Sequence, residues 1–211
     1  MATLTYREIF DALGNYDSGE GWWPGESDFE IVIGAILTQN TNWKNVEKAL
    51  INMRQRGLFH PEAILSSEEE ALQEAIRSAG YFRAKATYLR EISRWFLAHH
   101  GEIAAEKREI LREELLSLRG VGPETADDLL LYVYEKPLFI FDTYGRRLLE
   151  AAGRGKYTSY EQARRGEEAS FFAENFSLHE AKLFHGRIVN LGKMAPRGEG
   201  VLHFERLLGK S

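Results

Sequence analysis

Two stretches of this 211-residue chain carry residue types that could do chemistry. The first is Leu118-Arg119-Gly120-Val121-Gly122-Pro123-Glu124-Thr125-Ala126. Its two glycines can take positive φ and let the main chain approach a ligand closely. Pro123 suits the first position of a helix. The opening turn of that helix offers free N–H groups and the positive end of a dipole. A phosphate fits there without any basic side chain. The same spacing fits a plain corner between two helices, and spacing alone leaves both readings open. The second stretch is Phe139-Ile140-Phe141-Asp142-Thr143-Tyr144-Gly145-Arg146-Arg147-Leu148. Asp142 follows an apolar run and precedes a helical pattern, so its plain reading is an N-cap. Its sharper reading is a catalytic carboxylate held at a helix start.

The elements that must position these residues are helices. Leu4, Ile9, Phe10 and Leu13 fit an opening helix ended by Gly14, and residues 15–25 read as a loop. Ser27 or Asp28 caps a helix carrying Phe29, Ile33, Ile36 and Leu37. Further patterns lie near 43–56, 61–65, 68–79 and 84–99, and around Ile110, Leu111, Leu115 and Leu118. A helix runs from Pro123 to about Tyr134 and breaks at Lys136-Pro137. Others follow over 143–152, 160–174 and 177–192, before an irregular tail that is briefly helical. No strand alternation appears, so the expected class is all-α.

The formal charge is −5, which disfavours a broadly basic nucleic-acid face but not a local one. There is no cysteine, which excludes disulfides, thiolate zinc and cysteine-held iron–sulfur clusters. No apolar run suits a bilayer and the start lacks a signal-peptide pattern, so a cytoplasmic protein is expected. His99-His100 reads as a wet helix end, and no metal is expected.

Together the two stretches resemble the helix-hairpin-helix DNA glycosylase superfamily of the endonuclease III type. Leu118–Ala126 matches the hairpin, and the family's catalytic aspartate falls on Asp142, 18 residues beyond Glu124. Ile36-Leu37-Thr38-Gln39-Asn40-Thr41 is similar to the family helix whose glutamine, here Gln39, fills the gap left by a flipped nucleotide. Gly80-Tyr81-Phe82-Arg83-Ala84-Lys85-Ala86 resembles the other DNA-facing turn, and His185-Gly186-Arg187 the start of the cluster loop. The four cluster positions fall near Asn190, Arg197, Gly200 and Arg206, none of them cysteine. Bifunctional members carry a hairpin lysine that attacks the sugar. Here that position is Glu124, which cannot form an imine, so the resemblance implies a monofunctional enzyme.

These departures point to the cluster-free 3-methyladenine DNA glycosylase III subgroup. By that resemblance Trp22, Trp23, Pro24, Trp43 and Lys193 line the base pocket. Arg187 stands where a subgroup member carries a modified lysine. DNA contacts are expected from Gln39, Gly120, Val121, Gly122, Glu124, Thr125, Arg146 and Arg187. One of Trp22 and Trp23 is expected to face the pocket, the other to pack. The hairpin carbonyls could hold a structural monovalent ion, as in relatives.

The chemistry suits these residue types. A purine methylated at N3 is cationic and leaves easily, so its site needs flat electron-rich rings and a carboxylate rather than a general acid. Asp142 would assist water and stabilise the sugar cation. The expected partner is double-stranded DNA containing a damaged base, bound by a monomer associated with the nucleoid through DNA. Two helical lobes with a DNA cleft are expected, one over 25–136 and one over 1–24 with 137–211. The competing readings are a glycosylase for mismatched or deaminated bases, and a non-catalytic DNA-binding module in which Asp142 is only a cap.

Overall fold

The computed structural model describes residues 3–23, 25–103 and 106–210, leaving aside the side chains at 100, 102 and 103. Among these residues every regular element is a helix. Pro24, expected in the base pocket, and the His100 side chain lie outside the described residues. None of the described helices is long and apolar enough to cross a membrane. The chain forms two compact units, Gly25–Tyr134 and Met1–Pro24 with Glu135–Ser211. The seam falls at Glu135 rather than after Lys136. Val133 and Tyr134 both donate to Leu129 O at 3.0 Å, and Glu135 then takes φ 55°.

The unit Gly25–Tyr134 is built on α2 (Asp28–Thr38), which Ser27 caps by accepting from Glu30 N at 3.2 Å. Phe29, Val32, Ile33, Ile36 and Leu37 are all buried, so the helix is apolar nearly all round and occupies the core. Against it pack α3 (Trp43–Gln55), α6 (Phe82–Ile103) and α8 (Pro123–Tyr132). Between α3 and α6 lie α4 (Pro61–Ser66), α5 (Glu69–Ala75) and a 3₁₀ turn, Arg77–Ala79. The single helix expected over 68–79 is therefore two pieces, and Gly80 with φ 68° ends the second. Then α7 (Arg108–Ser117) leads through residues 118–122 into α8.

The other unit holds α1 (Tyr6–Gly14), α9 (Thr143–Ala151), α10 (Tyr160–Ala173), α11 (Leu178–Lys193) and α12 (Gly200–Leu207). Its core is aromatic. Tyr6 meets Phe139 and Phe171 at 5.2 and 5.3 Å, and Phe176 stacks on Phe171 at 4.9 Å. Beside it the buried Glu167 accepts from Arg154 Nε at 2.7 Å, Tyr157 OH at 2.7 Å and Tyr6 OH at 3.1 Å. A buried carboxylate paired this fully is far less costly than a lone one. Glu174 accepts from Tyr6 N and Arg7 N at 2.8 and 2.6 Å, tying the first turn of α1 to the end of α10. These links hold together a unit whose sequence offers no cysteine for a cluster.

Candidate functional site

Asp142 is the N-cap of α9. The buried Phe139-Ile140-Phe141 run carries the chain to it, and its Oδ1 accepts from Gly145 N at 2.6 Å. A Cβ on Gly145 would stand 2.6 Å from Ile140 O, so only glycine lets this first turn close against the incoming strand of chain. The result is a half-buried carboxylate at the positive end of a helix, where its negative charge is favoured. Arg146 folds back on the same corner, donating to Phe141 O at 2.9 Å.

The Trp22 loop is fastened to α11 in the same unit. Gly19 has φ 78°, and a Cβ there would overlap Leu183 O; a Cβ on Gly186 would stand 2.5 Å from Gly19 O. The loop and helix backbones therefore touch. Asp17 accepts from Gly19 N at 2.7 Å and from Asn190 Nδ2 at 3.2 Å. Arg187 donates to Phe10 O at 2.8 Å and Ser18 O at 3.2 Å, with its guanidinium 4.0 Å from the Phe10 ring. Burial draws the pKa of Arg187 below its ordinary value, although Asp11, Asp17 and Glu20 pull the other way.

This fastening brings Trp22, His185 and Lys193 together. His185 meets the Trp22 ring edge-on at 6.0 Å, and the Lys193 ammonium stands 4.3 Å from the ring centroid. Burial, with the nearby Lys193 charge, pushes the His185 pKa down to about 3, so its imidazole is neutral at physiological pH. Trp22 Nε1 is buried with no hydrogen-bond partner. Trp23 takes φ 61°, an uncommon left-handed conformation for an aromatic residue. Next to Lys193, a cleft of about 370 Å³ is lined by Tyr144, Arg147, Arg197 and the glycine-containing tail.

In the other unit the hairpin turn has Gly120 at φ 90°, where a Cβ would overlap the Tyr88 ring. Gly122 is exposed and caps α8, with open space where a Cβ would be. Val121 and Thr125 are buried, while Glu124 points to the exposed side. Gln39 Nε2 donates to Gly120 O at 2.8 Å and Thr125 Oγ1 at 3.0 Å, so the glutamine and the hairpin are one assembly. Trp43 opens α3 and donates from Nε1 to Glu47 at 2.9 Å.

Lys85 was not among the residues expected to act, and the structure makes it central. It is 2% exposed, and its ammonium donates to Leu37 O, Gln39 O and Ala79 O at 2.9, 2.7 and 2.9 Å. Burial lowers its pKa to about 8. Its sequence signal is weak, since a lysine in an amphipathic helix reads as a solvated residue. His185 was equally hidden, because nothing local distinguishes a histidine under a tryptophan from an exposed one. Among the described residues no three His, Asp or Glu side chains converge as metal ligands.

A glycine hairpin docked on a glutamine turn, and a carboxylate capping the next helix, define a helix-hairpin-helix fold of the glycosylase type. The model of the HhH-GPD superfamily base excision DNA repair proteins matches residues 33–169, and this chain belongs to that family. MJ1434 of Methanocaldococcus jannaschii, provisionally named a DNA repair glycosylase, is 38% identical over 86% of this chain and 84% of its own. The H. pylori 3-methyladenine DNA glycosylase MagIII, solved with 1,N6-ethenoadenine, is 29% identical. It has a TM-score of 0.72 over 90% of this chain and 98% of that one. An endonuclease III trapped covalently on DNA shares the fold at TM-score 0.72, with 20% identity over 97% and 95% of the two chains.

Proposed function

We propose that this DNA glycosylase is monofunctional and hydrolyses the N-glycosidic bond of alkylated purines such as 3-methyladenine. The observation that carries the reading is the Asp142 carboxylate, fixed at 2.6 Å on Gly145 N at the start of α9. A preorganised anion stabilises positive charge as it develops on the sugar. The cationic base leaves with the bonding electron pair and becomes neutral. Water adds to the sugar carbon and passes its proton to Asp142 or solvent. DNA is the partner this requires, held through the main chain of the hairpin.

Two observations support release without strand cleavage. Glu124 stands where bifunctional relatives present a lysine, and the buried Lys85 is committed to three carbonyls. The hairpin carbonyls of Leu118, Gly120 and Gly122 each accept one hydrogen bond. Each keeps a second lone pair, so the turn can still hold a monovalent ion.

Trp22 is the ring we assign to the base. A specific observation also favours a neutral substrate. Lys193 places a positive charge 4.3 Å from the Trp22 ring, where a cationic base would be repelled. The 1,N6-ethenoadenine bound by the H. pylori enzyme is a base of the neutral kind.

The test is base release from three DNAs: randomly methylated, 1,N6-ethenoadenine-containing, and uracil- or mismatch-containing. The reading expects release from one or both of the first two, with abasic strands left uncut and no product trapped by borohydride. Release from the third alone would replace alkylated purines with deaminated or mismatched bases.

A further inference from the structure

We propose that Lys85 is a positioning residue for DNA distortion, locking the main chain of the Gln39 turn to that of the Tyr81 turn. The inference rests on the glycosylase reading above. An ammonium has three hydrogens, and here all three find carbonyls on different pieces of chain. Leu37 O belongs to the last turn of α2, Gln39 O to the turn that follows, and Ala79 O to the 3₁₀ turn before Tyr81. The last carbonyls of a helix lack intrahelical donors and carry the negative end of its dipole. One cation therefore satisfies two such ends at once.

Both turns that Lys85 joins are backbone-strained and presented outward. Asn40 takes φ 53° and Tyr81 φ 47°, each left-handed without being glycine. Tyr81 is 73% exposed, an aromatic ring at the tip of a tight turn. Gln39 is different: its side chain is docked on Gly120 O and Thr125 Oγ1. To enter a duplex it must leave those two acceptors while its backbone stays in place. Lys85 holds Gln39 through O, not through the side chain, so it fixes the pivot and leaves the amide free to swing. With Ala79 O on the same ammonium, the Tyr81 turn keeps a constant spacing from that pivot.

The experiment uses a duplex with a tetrahydrofuran abasic residue and 2-aminopurine opposite it, whose fluorescence rises when side chains enter the gap. It needs no excision and no particular damaged base. Lys85→Met is expected to cut the fluorescence gain about tenfold at saturating protein, the scale of coupling between contacting residues. Binding to undamaged duplex should change little. Lys85→Arg, which restores charge and donors, should recover part of the signal and serves as the second variant if Lys85→Met does not fold. In a cycle with Gln39→Ala, the two losses should not multiply, because Lys85 acts through Gln39. Losses that multiply, or a Lys85→Met signal equal to wild type in a folded protein, would overturn the proposal alone. Absence of any signal from the wild-type protein would overturn it together with the glycosylase reading.

Discussion

Asp142 and Gly145 act as a pair at the residue scale. Gly145→Ala would drive a Cβ to within 2.6 Å of Ile140 O, so the turn must open and the carboxylate must move. The expected cost is about 1–3 kcal/mol of stability, the usual range for overpacking. Base release should fall more than melting explains, which comparing rate and unfolding midpoint on one preparation would show. Arg187, expected to contact DNA, has its guanidinium donating to Phe10 O and Ser18 O. Arg187→Ala should therefore lower stability by about 1 kcal/mol or more, through loss of the part-buried charge-assisted bond to Phe10 O and of the packing on the Phe10 ring. The salt dependence of DNA binding should stay the same; a slope shallower by about one would instead assign Arg187 to a phosphate. The Asp142 helix cap was legible because an apolar run, an acid and a helical pattern are all local. Arg187 was not, since its acceptors lie 169 and 177 residues away.

The loop over residues 15–23 and helix α11 form the element that presents Trp22. Their backbones touch through Gly19 and Gly186, and Asp17 with Asn190 closes the contact. Gly186→Ala should push the loop off the helix, expose Trp22 and shift its fluorescence to longer wavelength. Unchanged emission would mean that the loop is held elsewhere. Helix limits were mostly legible from caps, as with Ser27 and Pro123, because a cap states its chemistry within four residues. The break at Ala75 was not, because the apolar positions keep helical spacing across a 3₁₀ turn. Nor could spacing show that Gln39 rests on the hairpin, a contact between residues 81 apart.

Protonation ties the site to stability at the scale of the whole molecule. The His185 pKa is held down to about 3 by burial and by Lys193, below its ordinary 6.5. The stability of the neutral imidazole is thus fully present above about pH 6.5 and is lost as pH falls toward 3. Glu180, pulled to about 2 by Ser177 and Arg7, adds acid sensitivity below about pH 4.5. His185→Gln should therefore flatten the loss of stability from pH 6.5 toward 3, measured by denaturant unfolding and read most cleanly in the upper window between 6.5 and 4.5, and leave the Glu180 contribution below about pH 4.5. An unchanged slope over that upper window would place the titration on other groups. The ion pairs of Arg112 with Asp127, Arg154 with Glu167 and Arg54 with Glu30 each cancel one acid with one guanidinium, so they leave the net charge of −5 unchanged. On the proposed function, phosphate contact falls to main-chain N–H groups at the start of the hairpin helix.

The most direct measurement compares wild type with Asp142→Asn on one methylated duplex preparation. Freed bases are resolved by chromatography, and DNA binding is recorded in parallel. The expected result is release of alkylated purine by the wild type and a loss of about a hundredfold or more in the variant, the scale of removing a preorganised stabilising group. Binding should remain. Equal release by the two proteins would contradict the catalytic assignment of Asp142 and leave it a helix cap.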